Sequence, residues 1–137
     1  MKHVLEPYKS ISSFEINKLV TPYLKNCKYL FKKGKVDESW DTYYFFDEEI
    51  IVHVDKMSSI IESIGCKENC YLRDVNLIGL EFTKFLEIVG KDGQNFSMEK
   101  MWMNDSEQQI VYDLDNLPLQ VWVSENKLIV SVYLLNL

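Results

Sequence analysis

Two stretches of the chain alternate apolar and polar residues on either side of a short polar turn, which is typical of a β-hairpin with one buried face. The first covers residues 50–64, turns at "KMSS", and places Ile50, Val52 and Val54 on one face. The second covers residues 119–134 and turns at "SENK". Because a hairpin hides its apolar face only against other elements, we expect both in one twisted antiparallel sheet.

The two hairpins also match residue by residue. Ile50, Val52 and Val54 align with Leu119, Val121 and Val123, while Ile61, Ser63 and Ile64 align with Ile129, Ser131 and Val132. Each copy follows an acidic lead-in. Common ancestry explains the match, and so does the period-two pattern that any two hairpins share; both explanations stay open at this point.

Further strands are predicted where β-branched and aromatic residues cluster between turn signals. The segment "KYLF" ends at a turn containing Gly34, "DTYYFF" is an aromatic run, and "QQIVYDL" precedes the closing hairpin. Residues 98–103 carry no clear signal. The chain is therefore rich in strands from Tyr29 onward.

A first helix is predicted to begin at Ser12, because Glu15 completes a capping box and Ile11 with Ile16 matches a hydrophobic staple. Pro22 interrupts this helix, since its ring clashes with the preceding turn and it lacks an N–H. Either the helix kinks there, or a second short helix begins with Thr21 as its cap. The apolar stripe of the predicted segment comprises Ile16, Leu19, Val20, Tyr23, Leu24 and Cys27.

A second helix is predicted in "LIGLEFTKFLEIVG", with Phe82, Phe85, Leu86 and Val89 at helical spacing. Gly90 supplies the left-handed residue that ends many helices. The sequence therefore predicts one α+β domain over residues 1–137, in which a mostly antiparallel sheet built from two similar hairpins is covered by about two helices.

Composition is that of a globular protein, with 47% apolar and 26% charged residues. The net charge of −6 is unevenly distributed. Residues 1–35 hold eight Lys and two acidic residues, a net charge of +6, whereas the rest holds seven basic and nineteen acidic side chains, a net charge of −12. An acidic chain with a pI near 4.9 repels phosphates, so we expect no nucleic acid as a partner.

No apolar run approaches the length of a membrane span, and the first residues lack the apolar core of a signal peptide. We therefore expect a cytoplasmic protein without a membrane partner. Three cysteines, two of them in "CKENC", do not have zinc-ligand spacing, and we expect reduced thiols. The sequence does not indicate an oligomeric state.

Catalytic chemistry has little to build on. The histidines are His3, at an end expected to fray, and His53, in the middle of a predicted strand. Isolated glycines do not form a phosphate-binding loop, and no Cys/His or calcium-loop spacing indicates a metal. We expect no enzyme activity, no cofactor and no metal, although an enzyme using His53 and Asp55 stays a minor alternative.

Carboxylates around aromatic residues are the most distinctive feature of the sequence. Residues 36–49 hold six carboxylates, Trp40 and four consecutive aromatics without a basic residue, and residues 105–125 hold five more around Trp122. Negative charge around aromatic anchors suits a basic protein partner. The residues selected for partner binding are Asp37, Glu38, Trp40, Asp41, Asp47, Glu48, Glu49, Asp55, Asp113, Asp115 and Trp122.

The segments "DEEIIVHVD", "IIESI", "VNLIGLEFTKFLEIVG" and "LPLQVWVSENKLIVSVYL", over residues 43–135, resemble immunity proteins of bacterial polymorphic toxin and contact-dependent growth inhibition systems. The resemblance implies an antitoxin that binds the carboxy-terminal domain of a cognate toxin, often a basic nuclease, and blocks its active site or substrate groove. The basic first 35 residues depart from this pattern.

A different class of function is a small-molecule or peptide binding module without catalysis. Trp40, Tyr43, Tyr44 and Trp122 would then line one pocket. A deep apolar cavity in the folded protein would favour this alternative over the antitoxin.

Overall fold

The computed structural model describes residues 1–136, and its elements are mostly short strands. The amino-terminal part contains β1 Leu5–Glu6, β2 Ser10–Ile11, β3 Phe14–Glu15, α1 Thr21–Leu24, β4 Tyr29–Lys32, β5 Trp40–Phe45, β6 Ile50–Asp55 and β7 Ile61–Cys66. The remainder contains β8 Tyr71–Leu72, β9 Val75–Asn76, α2 Phe82–Val89, a 3₁₀ turn Gly90–Gly93, β10 Phe96–Trp102, β11 Gln108–Leu114, β12 Leu119–Val123 and β13 Ile129–Leu135.

One eight-stranded sheet dominates the molecule, in the order β10-β11-β12-β13-β7-β6-β5-β4. Every neighbouring pair in it is antiparallel. Strands β4 to β7 and strands β10 to β13 each run up and down in chain order, and the two groups meet where β7 pairs with β13. The predicted fold class is confirmed at this level: a single small domain of mostly antiparallel sheet with two short helices.

The core lies between one face of this sheet and the elements packed on it. Strand residues Val52, Ile64, Val121 and Val132 are fully buried there, and Phe14 and Phe85 reach them from the covering elements. Because side chains alternate along a strand, the intervening residues point to the other face of the sheet. No helix of residues 1–136 has both the length and the apolar character needed to cross a membrane.

Helix α2 follows its predicted pattern. Phe82, Phe85 and Val89 are its buried residues, and Gly90 ends it with a φ of 62°. The stripe at positions i, i+3 and i+7 faces the sheet, where Phe82 stacks on Tyr112 with ring centroids 3.8 Å apart. This prediction is confirmed because local spacing and tertiary packing favour the same structure.

The helix predicted from Ser12 is wrong. Ser12 has a φ of 57°, and the chain forms the small strands β2 and β3 around it. Ile11 and Phe14 are both fully buried, so a tight hairpin satisfies the same apolar spacing that a helix would. The helix that does form, α1, has four residues and carries Pro22 in its first turn, where the missing N–H costs nothing. Its N-cap is Val20, without a capping side chain, rather than Thr21.

Two smaller expectations also change. His3 is fully buried instead of frayed, and its Nε2 lies 3.1 Å from Glu49 Oε1. Its backbone joins the loop after β7, since His3 N–H donates to Asn69 and the His3 carbonyl accepts from Tyr71 N–H. Residues 98–103, for which the sequence predicted no element, lie mostly in the edge strand β10. Nearly all side chains of this strand are exposed, so the sequence shows no alternation of apolar and polar residues there.

Candidate functional site

The face of the large sheet that points away from the core is the candidate site, and we call it the open face. Pairing register assigns its residues, since Thr42, His53 and Ser63 lie opposite one another on adjacent strands. Ile51 and Val111 are buried on this face yet lie outside the core cluster. The open face comprises Leu30, Lys32, Trp40, Thr42, Tyr44, Ile51, His53, Asp55, Ser63, Gly65, Ser97, Glu99, Met101, Gln109, Val111, Asp113, Gln120, Trp122, Ser131, Tyr133 and Leu135.

A row of four rings crosses the open face. The centroid of Trp40 is 6.2 Å from that of His53, His53 is 6.2 Å from Tyr133, and Tyr133 is 6.4 Å from Trp122. These rings come from β5, β6, β13 and β12, so the row spans the junction of the two strand groups. Such edge-on and tilted contacts favour fixed ring positions. The row is therefore a rigid, half-buried aromatic surface.

Tyr133 holds the middle of the row because Gly65 lies beneath it. A Cβ built on Gly65 would stand 2.6 Å from the Tyr133 ring, so only a glycine leaves room for the ring against the sheet. Burial, together with the nearby Tyr44 and Cys66, raises the pKa of Tyr133 to about 12. The phenol is thus a neutral hydrogen-bonding group at physiological pH.

His53 is neutral near pH 7. Its Nδ1 lies 3.0 Å from Thr42 Oγ1, and burial lowers its pKa below the usual 6.5 although the charge of Glu38 acts in the opposite direction. Asp55, its neighbour on the strand, accepts hydrogen bonds from the N–H groups of Met57 and Ser58 and from the Ser58 hydroxyl. These bonds lower the pKa of Asp55. Asp55 closes the β6–β7 turn and does not orient His53.

A second polar chain fixes the other end of the row. The Trp122 indole N–H donates to Gln120 Oε1 at 2.9 Å, and the Gln120 amide donates to Asp113 Oδ1 at 3.0 Å. The indole is therefore held by a hydrogen bond that leaves its ring face available. Asp113 keeps its second carboxylate oxygen for other donors.

Shallow concavities flank the row. One of about 660 Å³ is bordered by Trp40, His53, Asp55, Glu62 and Gln120 among others. Another of about 260 Å³ lies on the far side of Tyr133, against Trp122, Met103 and Lys67. Tyr43 faces the core side of the sheet, because it pairs with Val52. Trp40, Tyr43, Tyr44 and Trp122 consequently do not line one pocket.

The charge of the open face is mostly negative. Asp55, Glu62, Glu99 and Asp113 lie on it or at its rim, against Lys32 at one edge and Lys67 at the border. Within residues 1–136 the ion pairs join Lys2 to Asp74 and Lys9 to Glu6, and His3 Nε2 lies against Glu49. None of the open-face carboxylates is neutralised by a basic side chain.

The residues selected from the sequence fall into separate groups. Trp40, Asp55, Asp113 and Trp122 lie together on the open face. Asp37 and Glu38 are in the β4–β5 loop, and Asp41 is on the opposite side of the sheet. Asp47, Glu48 and Glu49 form the β5–β6 turn, and Asp115 lies in the β11–β12 turn. The structure therefore brings four of the eleven onto one surface.

Several of these carboxylates have partners within the fold. Asp41 accepts from Gly34 N–H at 2.8 Å, Glu38 accepts from Lys35 N–H at 2.8 Å, and Glu49 lies against His3. Their local role is to close turns, which explains part of the acidic run without a binding partner. Asp47 and Glu48 are exposed and make no such bond among the described residues.

Residues that the sequence reading did not select complete the open face. Tyr133 belongs to the aromatic row, and Gln120, Thr42 and Glu62 lie beside it. Side chains alternate between the two faces along a strand. Once Val121 and Val132 are assigned to the core, their neighbours Gln120 and Tyr133 must therefore lie on the opposite face. Their proximity to His53 depends on β7 pairing with β13, which no local pattern indicates.

No group of three metal-ligating side chains converges anywhere in residues 1–136. Comparison with known proteins finds no matching family model, no matching curated protein and no matching solved structure.

Proposed function

We propose that this protein is an immunity protein, a non-enzymatic cytoplasmic inhibitor that binds the domain of a cognate toxin and covers its active site or substrate groove. The observation that carries the proposal is the open face, where a rigid aromatic row lies among unneutralised carboxylates. The partner that fits this chemistry is a basic protein surface, such as the phosphate-binding groove of a nuclease.

The aromatic row supplies the binding energy in this proposal. Trp and Tyr dominate the binding energy of protein interfaces because they bury a large area while losing little side-chain entropy. Trp40 and Trp122 are held by neighbouring rings and, for Trp122, by Gln120. A partner therefore meets rings that are already ordered.

In this proposal the carboxylates attract the basic partner and speed its association. Asp113 and Glu62 flank the row, while Asp47 and Glu48 project from the β5–β6 turn. Phe46, Asp47 and Glu48 have φ values of 54°, 53° and 70°, a left-handed conformation that costs roughly 1 kcal/mol or more for a residue with a side chain. Acidic residues in positions that suit glycine support a role for their charge.

We also propose that the sheet is built from two copies of one hairpin unit. The supporting observation is that the pairing register shifts between His53 and Val54 in one hairpin and between Trp122 and Val123 in the other. Those positions are equivalent in the alignment of the two hairpins. A shared period-two pattern accounts for alternation, but it does not require a bulge at the same place.

The test uses the carboxy-terminal domain of the toxin that the proposal expects to be encoded beside this gene, purified as a catalytically inactive variant. Glu62→Lys with Asp113→Lys reverses charge on the open face, and Asp47→Lys with Glu48→Lys does so at the turn. Glu49 is left unchanged because it contacts buried His3. We expect each double variant to slow association at least about ten-fold at low salt.

A matched control changes the same charge elsewhere. Glu87 and Asp92 are exposed at α2 and the 3₁₀ turn, so Glu87→Lys with Asp92→Lys should keep association within about two-fold. Circular dichroism verifies folding of all variants. Equal association rates for the unchanged protein and both test variants, or failure of the unchanged protein to protect cells from the neighbouring toxin, would rule out the proposal.

A further inference from the structure

Strand β4 forms one edge of the large sheet, and its outer side is unpaired among residues 1–136. It contacts β5 along Tyr29 to Lys32, and no other strand lies beyond it. All four residues are exposed. An unpaired edge offers backbone N–H and C=O groups to an incoming strand.

The edge also presents apolar side chains. Leu30 is 67% exposed, Phe31 49% and Tyr29 42%. Tyr43 on the neighbouring strand holds two of these rings, with centroids 5.5 Å from Tyr29 and 4.9 Å from Phe31. These contacts keep both exposed rings in place on the Tyr43 side of the strand, while Leu30 projects from the other side. An added strand therefore finds an ordered aromatic platform on one face and an apolar side chain on the other.

The charge of this edge is opposite to that of the rest of the molecule. Residues 16–36 hold six lysines and no acidic residue. Lys28 and Lys32 flank the exposed apolar residues, Lys33 and Lys35 follow, and none of these four forms an ion pair with a described residue. The carboxylates of Glu38 and Asp41 bind backbone N–H groups instead. Asp47 and Glu48 border the concavity at Lys28 to Leu30, so the excess of positive charge is concentrated at the Lys32–Lys35 end of the edge.

We propose that β4 is a docking edge for an extended acidic segment of another protein, which adds to the sheet as a ninth strand. Backbone hydrogen bonds supply affinity, the platform of Tyr29, Leu30 and Phe31 accepts alternate side chains, and the lysines select for acidic residues. This edge adjoins the open face, because Leu30 and Lys32 pair with Tyr44 and Thr42. Its outward backbone groups and its lysines nevertheless suit a different chemistry from that of the aromatic row and its carboxylates.

A second copy of this chain fits less well. Antiparallel pairing of β4 with itself, centred between Leu30 and Phe31, would place Lys32 opposite Tyr29 and, just beyond the strand, Lys28 opposite Lys33. Like charges directly opposite each other are destabilising. Lysines also protect edge strands from aggregation, but a protective role requires no cluster of exposed rings. The combination of apolar platform and uncompensated positive charge favours an acidic partner.

The test titrates the full chain with a capped octapeptide that alternates valine and glutamate, followed by nuclear magnetic resonance and hydrogen exchange of the backbone amides. We expect saturable binding that slows exchange in residues 29–32. A peptide alternating valine and lysine should bind at least about ten-fold more weakly. Binding should also weaken as sodium chloride increases.

Two controls separate strand addition from charge attraction. Lys32→Glu with Lys33→Glu should weaken binding at least about ten-fold, whereas Lys84→Glu with Lys91→Glu, which alters the same charge around α2, should leave it within about two-fold. Two further peptides test the backbone hydrogen bonds, one N-methylated at the odd-numbered residues and the other at the even-numbered residues. Only one of these sets directs its N–H groups toward β4, so only one of the two peptides should lose binding.

Absence of saturable binding, equal binding by both N-methylated peptides, or protection outside β4 would overturn the proposal. A protein that is dimeric by light scattering and becomes monomeric on Lys32→Glu with Lys33→Glu would overturn it in favour of self-association.

Discussion

His53 illustrates how the face of a strand decides the chemistry of a residue. Period two places it opposite Val52 and Val54, away from the core, and that much follows from the sequence. Its bond to Thr42 and its contact with Tyr133 depend on pairing with β5 and on the distant β13. The sequence therefore predicts which face of the sheet His53 lies on. The burial that lowers its pKa depends on the neighbouring strands of the assembled sheet.

At the residue scale we predict a pH dependence of stability for His53. Since burial lowers the pKa of the folded state below 6.5, the unfolded chain takes up the proton first as pH falls. The contribution is present above pH 6.5 and is lost as pH falls from there through the lower pKa of the folded state. Urea unfolding at pH 7.5 and 5.5 should show a smaller loss of free energy of unfolding for His53→Gln than for the unchanged protein.

The carboxylates have a separate acid dependence, which the two proteins share, so the difference between them isolates His53. An equal loss of free energy of unfolding in both proteins would mean that the histidine is solvated in the folded state.

At the scale of elements, local signals succeeded where tertiary packing agreed with them. Helix α2 has the predicted stripe and glycine stop. The capping signals at Ser12 and Glu15 failed because Ile11 and Phe14 are buried by a hairpin that pairs with β1. Propensity is worth only tenths of a kcal/mol per residue, and burying two large side chains outweighs it.

The β5–β6 turn provides the prediction at this scale. Glu48 has a φ of 70°, which glycine adopts without steric cost. Glu48→Gly should raise the free energy of unfolding by about 0.5 to 1 kcal/mol in urea denaturation. If the turn also steers a basic partner, the same variant should slow toxin association while it stabilises the fold.

Glu68→Gly is the matched control, because Glu68 is exposed and is not among the residues with positive φ. It should lower the free energy of unfolding or leave it unchanged. A similar gain from both variants would show that removal of negative charge, and not backbone conformation, is responsible.

At the scale of the whole molecule, the seam between β7 and β13 joins strands that are distant in sequence. Ile64 pairs with Val52 on one side and with Leu134 across the seam, and it is fully buried. The core on the two sides of this seam is one cluster. The two strand groups should consequently unfold together.

Replacing Ile64 by Ala should lower the free energy of unfolding by about 2 to 5 kcal/mol, because a cavity opens at the seam. Trp40 and Trp122 report on the two strand groups, and variants that lack Trp102 and keep only one of these two should share one urea midpoint. Leu30→Ala, at an exposed edge position, should change the free energy by no more than about 0.5 kcal/mol. Separate midpoints for the two tryptophans would show independent halves.

Alternation along a strand is a local property, and the sequence by itself therefore determined the two hairpins, the faces of their residues and helix α2. It also determined the opposite charge of the first 35 residues and the remainder. Only the tertiary structure decided that β7 pairs with β13, and so that His53, Tyr133 and Trp122 form one surface. The physical reason is that pairing between strands far apart in sequence depends on the fit of the whole core, which no segment carries alone.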